Sequence, residues 1–258
     1  MAGYGHYIAR RAPDGITPDI LFYASGPNAR RIAPTVKQWR RNFSDFENWV
    51  RLSSLLSVLS YFESFVTTIS TLALRSDPLL RFGQSRVVDG ATWLKRTVRD
   101  DTTGLVVPLV KGEWPQRLSA FRDLFEIVPP ILEANIQDLE QMRSLRNGVA
   151  HSFGRNATYF EDPTVDAGQS VRLSEERLQR WLSIIESCAD AIDQQLLERH
   201  IGEFELIWRY HRWKDEPRDA LDRRYIPSTA FSRFVNREYG FSPGRAFCKQ
   251  LIAYYEAA

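Results

Sequence analysis

The run SDFENWVRLSSLLSVLSYFESFVTTISTLAL, residues 44–74, decides the fold because its pattern predicts one unbroken helix of roughly 45 Å. Ser44 followed by Glu47 indicates a capping box at its start, and Asp77-Pro78 indicates its end. Apolar residues cover more than half of this helix. A second stripe carries small hydroxyl side chains: Ser53, Ser57, Ser60, Ser64, Thr67 and Thr71. We expect another helix to pack on this hydroxyl stripe, with a merely hydroxyl-rich surface as the alternative.

The rest of the chain predicts an all-α fold, because Pro and Gly fall mainly between helical patterns. Helices are expected over 116–128, over Ile131–Phe153 with Gly154 as the cap, from Ser174 to at least Arg199 with Trp213 as the alternative end, and over 229–239 and 244–256. Three further segments complete the predicted organisation: a basic, Pro- and Arg-rich arm at 1–43, an irregular insertion at 76–115 and a C-terminal helical extension at 202–258. Within the insertion, Leu105–Val110 is expected to be a strand or a packed loop.

Composition and charge indicate a cytoplasmic globular protein. The net charge is +2, but residues 1–43 carry seven basic and two acidic side chains, so the positive charge is concentrated there. The two cysteines, Cys188 and Cys248, lie far apart in amphipathic stretches, which predicts core thiols in a reducing compartment. The N-terminal residues do not resemble a secretory signal. Leu52–Leu74 is long enough to span a membrane, but its central Glu63 argues against that location.

The sequence RNGVAH at residues 146–151 is the candidate functional motif. Asn147 and His151 are four residues apart and therefore share one helix face, whereas Arg146 lies about 140° from His151 on an ideal wheel. Two copies of the helix around a twofold axis would bring an arginine and a histidine into one cleft. Gly148 costs about 1 kcal/mol in helix propensity, and we expect it to allow a neighbouring backbone to approach closely.

This motif, together with the order of helices across 44–201, resembles the R-x4-H signature of HEPN domains. The resemblance implies a HEPN-like helical bundle that forms a homodimer and acts as a metal-independent endoribonuclease. Its catalytic residues would be Arg146, Asn147 and His151, with Arg143 as a further RNA contact and no cofactor. RNA would be cleaved through the 2′-hydroxyl to leave 2′,3′-cyclic phosphate (or 3′-phosphate) and 5′-hydroxyl ends. Prokaryotic members commonly act in toxin–antitoxin or anti-phage systems, which would add an antitoxin or inhibitor protein as a partner.

Two alternatives to this interpretation stay open. RNGVAH is also compatible with an ordinary helix terminus, in which Arg and His favour the negative end of the helix. Arg146, close to the core stripe, is equally placed to form a structural ion pair with Glu63, the only acidic residue between Glu47 and Asp77. The alternative function is that of a non-catalytic HEPN-like dimer that binds a nucleotide, RNA or a partner protein and keeps the motif for structure.

The remaining candidates are weaker. His6, His200 and His211 lack zinc spacing, so no metal site is expected. The segment Trp208–Lys214 interleaves basic and aromatic residues, as single-strand nucleic-acid binders do, although an amphipathic helix with solvated cations gives the same pattern. The last two helices would form either a DNA-reading helix-turn-helix or, as we expect, a plain helical hairpin with a core of Phe231, Phe234, Phe247, Leu251 and Tyr255.

Overall fold

The computed structural model describes residues 7, 10–27, 31–81, 102–152, 171–215 and 226–257, with the backbone alone at Leu79, His151, Ser152 and Asp215. Every regular element within these ranges is helical, and no strand occurs among them, which confirms the all-α prediction. The helices are α1 (Pro18–Leu21), α2 (Val36–Ser76), α3 (Thr103–Val110), α4 (Trp114–Phe125), α5 (Pro130–Ala134), α6 (Ile136–Ser152), α7 (Glu175–Leu196), α8 (Phe204–Asp215), α9 (Pro227–Tyr239) and α10 (Arg245–Ala257), with a 3-10 turn at Pro78–Leu80 and a π-helical turn at Leu197–Ile201.

Helix α2 begins at Val36, so the predicted start at Ser44 is wrong. The hydroxyl of Thr35 accepts a hydrogen bond of 3.2 Å from the backbone N–H of Gln38, which is the arrangement of an N-cap residue. The ring of Trp39 then stacks on that of Phe43 at 5.1 Å within the added turns. The capping signal at Ser44 therefore lies inside a helix that has already started.

Two other segments differ from expectation. Leu105–Val110 belongs to helix α3, so the prediction of a strand or loop is wrong. Val106 and Leu109, three residues apart, are both buried, which gives this short helix an apolar face.

The predicted helix from Ile131 is divided at Asn135. The side-chain amide of Asn135 donates a hydrogen bond of 2.9 Å to the carbonyl of Ile131 at the end of α5. The predicted cap at Gly154 lies outside the described residues.

The chain divides into two compact units. Unit 1 comprises Met1–Thr67, Val107–Arg122 and Glu126–Ala191. Helices α2, α4, α6 and α7 supply many of its buried side chains, among them Leu55, Leu59, Phe62, Leu118, Phe121, Leu139, Met142, Trp181 and Cys188. The buried amide of Asn48 adds a polar link, because it donates to the carbonyl of Val171 and accepts from the N–H of Leu173, both at 2.9 Å. Most of the buried surface of unit 1 is thus apolar and helical.

Unit 2 comprises Thr68–Val106, Asp123–Phe125 and Ile192–Ala258. Its C-terminal part has a core of its own, in which α8, α9 and α10 bury Tyr210, Trp213, Phe231, Val235, Cys248, Leu251 and Ile252. Gly240 ends α9 in the left-handed conformation with φ +77°, which suits the turn into α10. The expectation that Phe231 and Leu251 belong to the core of a helical hairpin is confirmed, and α8 contributes the remaining large rings.

The hydroxyl stripe of α2 is largely open to solvent in a single chain. Ser57, Ser60, Ser64 and Thr67 are all exposed, so the described residues of the protomer do not supply the helix that was expected to cover them. This leaves the middle of α2 with one buried apolar face and one exposed face of small polar side chains.

By length and composition, α2 also qualifies as a helix able to cross a membrane. This is weak evidence, because the core helix of a soluble protein meets the same criterion. The predictions of a cytoplasmic location and of no membrane association therefore stay predictions.

Candidate functional site

The candidate motif lies on helix α6, as its spacing predicts. Arg143, Arg146 and Asn147 and the backbone of His151 all belong to this one helix. Three of the predicted core positions on the same helix, Leu139, Met142 and Val149, are buried, whereas Leu145 is half-buried. Helix α6 therefore packs through its apolar stripe, and the motif residues flank that stripe. The side chain of His151 and the whole of Phe153 lie outside the described residues.

Arg146 forms a two-point ion pair with Glu63 of α2. Its Nη1 donates 3.1 Å to Oε2 of the carboxylate, and its Nη2 donates 3.1 Å to Oε1. Both side chains are about three-quarters buried, with 24% and 25% of their surface exposed. The alternative interpretation of Arg146 as the structural partner of Glu63 is confirmed as far as this contact is concerned. Such a planar pair fixes the guanidinium in one orientation.

Arg117 is a third member of this cluster, and the sequence analysis missed it. Its Nη2 donates 3.2 Å to Oε1 of Glu63, and its Nε donates 3.1 Å to the carbonyl of Gly112. The guanidinium lies 5.0 Å from the centre of the Trp114 ring, and the side chain is only 5% exposed. The sequence feature that points to its burial is its position beside the apolar stripe of α4, where Trp114, Leu118 and Phe121 recur at helical spacing.

The ion pairs of Glu63 leave one positive charge without a carboxylate of its own among these three residues. Two guanidinium groups share the single carboxylate of Glu63, so the three side chains together carry a formal charge of +1. Burial lowers the pKa of Arg117, while the charge and hydrogen bond of Glu63 oppose that shift and the charges of Arg146 and Arg143 add to it. An arginine stays protonated in proteins even so, and the excess positive charge is therefore permanent.

Arg143 interacts with two carboxylates other than that of Glu63. Its Nε donates to both oxygens of Glu140, at 2.9 and 3.0 Å, and its Nη2 also donates to Glu140. Glu113 lies 3.9 Å away as a second acidic neighbour. The hydrogen bond from Arg143 lowers the pKa of Glu140, and the same bond raises the pKa of Arg143. Glu140 also accepts 3.0 Å from the N–H of Trp114 and thereby joins α6 to the start of α4.

Asn147 and Gly148 have few contacts with the described residues. The half-buried side chain of Asn147 forms no hydrogen bond with the described residues. A Cβ added at Gly148 would meet no heavy atom within 4 Å, so nothing in the described part of a single chain requires a glycine there. The expected close approach of another backbone to Gly148 must therefore come from outside the described protomer if it occurs.

Two surface clefts of unit 1 lie beside the first half of α6. One has a volume of about 490 Å³ and is lined mainly by apolar atoms of Pro115, Ile136, Gln137, Glu140, Gln141 and Ser144. The other, of about 460 Å³, is more polar and is lined by Gln141, Ser174, Glu176, Arg177 and Arg180. Neither is lined by Arg146 or Asn147, so the motif is not at the base of either cleft.

Metal and thiol chemistry find little support in the described ranges. These residues contain no group of three His, Cys, Asp or Glu side chains that could hold a metal ion. Both cysteines are free and buried, which confirms the prediction of core thiols. Burial raises the pKa of Cys188 to about 12 and also raises that of Cys248, so neither thiol is activated as a nucleophile.

Comparison of the chain with protein-family models, with curated proteins and with solved structures found no match. The resemblance to HEPN domains accordingly rests on the RNGVAH motif and the order of the helices.

Proposed function

We propose that this protein is a metal-independent endoribonuclease of HEPN type that acts as a homodimer. The observation that carries the proposal is the state of Arg146: Glu63 fixes its guanidinium, while Glu63, Arg117 and Arg146 together carry a formal charge of +1. A preoriented cation of this kind suits a phosphate whose negative charge grows in the transition state. Asn147 and the backbone of His151 follow on the same helix, as the motif requires.

The arrangement supports a division of labour in RNA cleavage. The 2′-hydroxyl attacks phosphorus, its proton passes to a base, the bond from phosphorus to the 5′-oxygen breaks, and that oxygen takes up a proton. His151 would move these protons, because a histidine titrates near neutral pH. Arg146 uses one hydrogen on each Nη for Glu63, and the second hydrogen of each Nη is available for a phosphate oxygen. Asn147 would orient the imidazole one turn away, and Arg143 would add a weaker phosphate contact.

The dimer is part of the proposal because one helix separates Arg146 and His151 by about 140°. Two helices that meet at Gly148 would place the arginine of one copy beside the histidine of the other. The exposed positions of Gly148 and of the hydroxyl stripe of α2 support this arrangement, since both are small-residue surfaces to which a second backbone can come close.

A non-catalytic HEPN-like dimer that binds a nucleotide, RNA or a partner protein is the second candidate. The same ion pairs also favour this candidate, because Arg146 and Arg143 both have carboxylate partners inside the protomer. In this alternative the motif stabilises the packing of α6 on α2, and the charge on Arg146 is used in the fold.

The test is RNA cleavage in excess EDTA by the wild-type protein and by His151→Ala, with analysis of the product ends. Gln137→Ala is the matched control, since it changes an exposed polar side chain on the same helix. We expect cyclic-phosphate and 5′-hydroxyl ends from the wild type and the control, and no cleavage by His151→Ala. Absence of cleavage of total RNA, tRNA and single-stranded RNA would reject the nuclease in favour of the second candidate. Equal cleavage by His151→Ala would reject this site.

The biological role that we propose follows from the resemblance alone. A cytoplasmic ribonuclease of this type would act as a toxin or in defence against phage, and an antitoxin or inhibitor protein would hold it inactive. Induced expression should then arrest growth, and His151→Ala should relieve the arrest.

A further inference from the structure

We propose that a strip of aromatic and arginine side chains in unit 2 binds single-stranded nucleic acid. The strip consists of Trp208, Arg209 and Arg212 on α8 and of Tyr239 and Phe241 at the turn that follows α9. That RNA is its natural occupant rests on the proposed ribonuclease function, whereas the capacity to bind single strands does not.

Contacts between rings and guanidinium groups make the strip continuous. The guanidinium of Arg212 lies 5.1 Å from the centre of the Trp208 ring, one turn away on α8. Arg209 lies 3.3 Å from the centre of Tyr239 and 5.9 Å from that of Phe241. Positions 208, 209 and 212 fall within one sector of about 100° on a helix, so the two arginines are neighbours. Rings and cations therefore alternate along one surface.

The rings of this strip keep exposed surface for a ligand, although a guanidinium covers one face of Trp208 and one face of Tyr239. Trp208 is 46% exposed, Tyr239 39% and Phe241 43%, although the neighbouring Tyr210 and Trp213 of the same segment are buried in the core. Arg209, by contrast, is mostly buried between its ion-pair partner Glu205 and the Tyr239 ring, so it holds the rings in place. Of the aromatic residues in this alternating segment, Tyr210 and Trp213 thus belong to the core and Trp208 to the surface.

The charge of this region selects a polyanion as the ligand. Helices α8, α9 and α10 carry seven basic side chains against four acidic ones, a formal charge of +3. Arg212 is exposed and forms no ion pair with the described residues, so it can reach a phosphate. Exposed aromatic faces stack on bases of any sequence, and a stacked base is worth roughly 1–3 kcal/mol by alanine substitution.

A single strand fits this surface better than a duplex does. The bases of a duplex are already stacked on one another and offer no face to Trp208 or Phe241, whereas those of a single strand do. Duplex DNA would instead be read by α10, whose exposed Arg245, Lys249 and Gln250 are the side-chain types that contact base edges. A preference for duplex is therefore the outcome that favours the helix-turn-helix interpretation.

The experiment measures the binding of a fluorescent oligouridine of about 20 nucleotides to the full-length chain by anisotropy at about 50 mM salt. All variants are made in the His151→Ala background, so that binding is measured without cleavage. Trp208→Ala and Phe241→Ala should each weaken binding by roughly five- to a hundredfold. Arg212→Gln should reduce the salt slope of the logarithm of affinity by about 0.7. The control Tyr254→Ala removes an exposed ring of α10 outside the strip and should change neither quantity.

Several results would overturn the proposal. These are no binding by the parent protein, unchanged affinity in the three strip variants, an equal loss in Tyr254→Ala, or tighter binding of a duplex than of either single-stranded RNA or DNA. Circular dichroism and the melting temperature of each variant establish that it is folded. RNA cleavage by the protein that retains His151, together with oligouridine binding that the strip substitutions leave unchanged, would overturn the strip and leave the nuclease standing. Binding through the strip by a protein that never cleaves RNA would do the reverse.

Discussion

Glu63 and Arg146, separated by 83 residues in the chain, are joined by two hydrogen bonds of 3.1 Å each. The same carboxylate accepts a third hydrogen bond, of 3.2 Å, from the buried Arg117. Glu63 is thus the shared partner of two cations from α4 and α6, and its removal is not equivalent to the removal of either arginine.

We expect Glu63→Gln to destabilise the protein more than Arg146→Gln does. The first change leaves two arginines without their common carboxylate, one of them buried, and should cost roughly 3 kcal/mol in the free energy of unfolding. The second leaves Glu63 paired with Arg117 and should cost about 1 kcal/mol. Urea unfolding of both variants measures the difference. Equal losses would mean that Arg117 gains little from Glu63.

Acid should weaken the contact between α6 and the start of α4 through Glu140. The hydrogen bond from Arg143 holds the pKa of Glu140 below its usual value of about 4.3. A carboxyl group with a lowered folded pKa stabilises the protein above its unfolded pKa, and this contribution is lost as the pH falls through the folded pKa. Glu140→Gln should therefore destabilise the protein at pH 7 and have less effect below about pH 4.

The measurement for Glu140 is the urea midpoint as a function of pH. Glu176→Gln, an exposed change at the start of α7, serves as the control and should give a curve parallel to that of the wild type. A gap between Glu140→Gln and the wild type that stays constant down to the acid limit would contradict the prediction.

The sequence identified the pairing of Glu63 with Arg146 because each residue is isolated in its own pattern. Glu63 is the only acid in a long apolar stretch, and Arg146 falls beside the core stripe of α6. Arg117 gave no comparable signal, since arginine is common on amphipathic helices and its burial depends on the packing of Trp114 above it. The sequence thus indicates Glu63 and Arg146, but not Arg117, whose position in the site is defined by tertiary contacts.

Local signals placed most helix ends but not all of them. The turn after α9 was predictable because Gly240 takes a left-handed conformation and Pro243 precludes continuation. The start of α2 was not, because both Thr35 and Ser44 have the chemistry of an N-cap, and the contacts of the Trp39 region decide between them. In α3, a short apolar run fits a strand or a helix equally well until its burial is known.

Cys188 should be inert in the folded protein. Burial raises its pKa to about 12, so at pH 8 almost all of this thiol is protonated and shielded from reagents. In a Cys248→Ser variant, which leaves Cys188 as the single thiol, we expect no reaction with a disulfide reagent until the protein is unfolded. Fast labelling of the native variant would show that this part of α7 opens readily, whereas labelling at the rate of global unfolding would agree with the buried position.

Substitution of Gly148 should have opposite effects on the stability of the protomer and on that of the dimer. No heavy atom of the described residues lies within 4 Å of its Cβ position, so Gly148→Ala should stabilise the helix by about 1 kcal/mol. If two α6 helices meet there, the added methyl group should weaken the dimer. We therefore expect a higher melting temperature at low protein concentration together with a larger dissociation constant by analytical ultracentrifugation. The reciprocal control, Ala150→Gly, should lower protomer stability and preserve dimerisation. A dimer unaffected by Gly148→Ala would exclude Gly148 from the interface and remove the reason for a shared catalytic cleft.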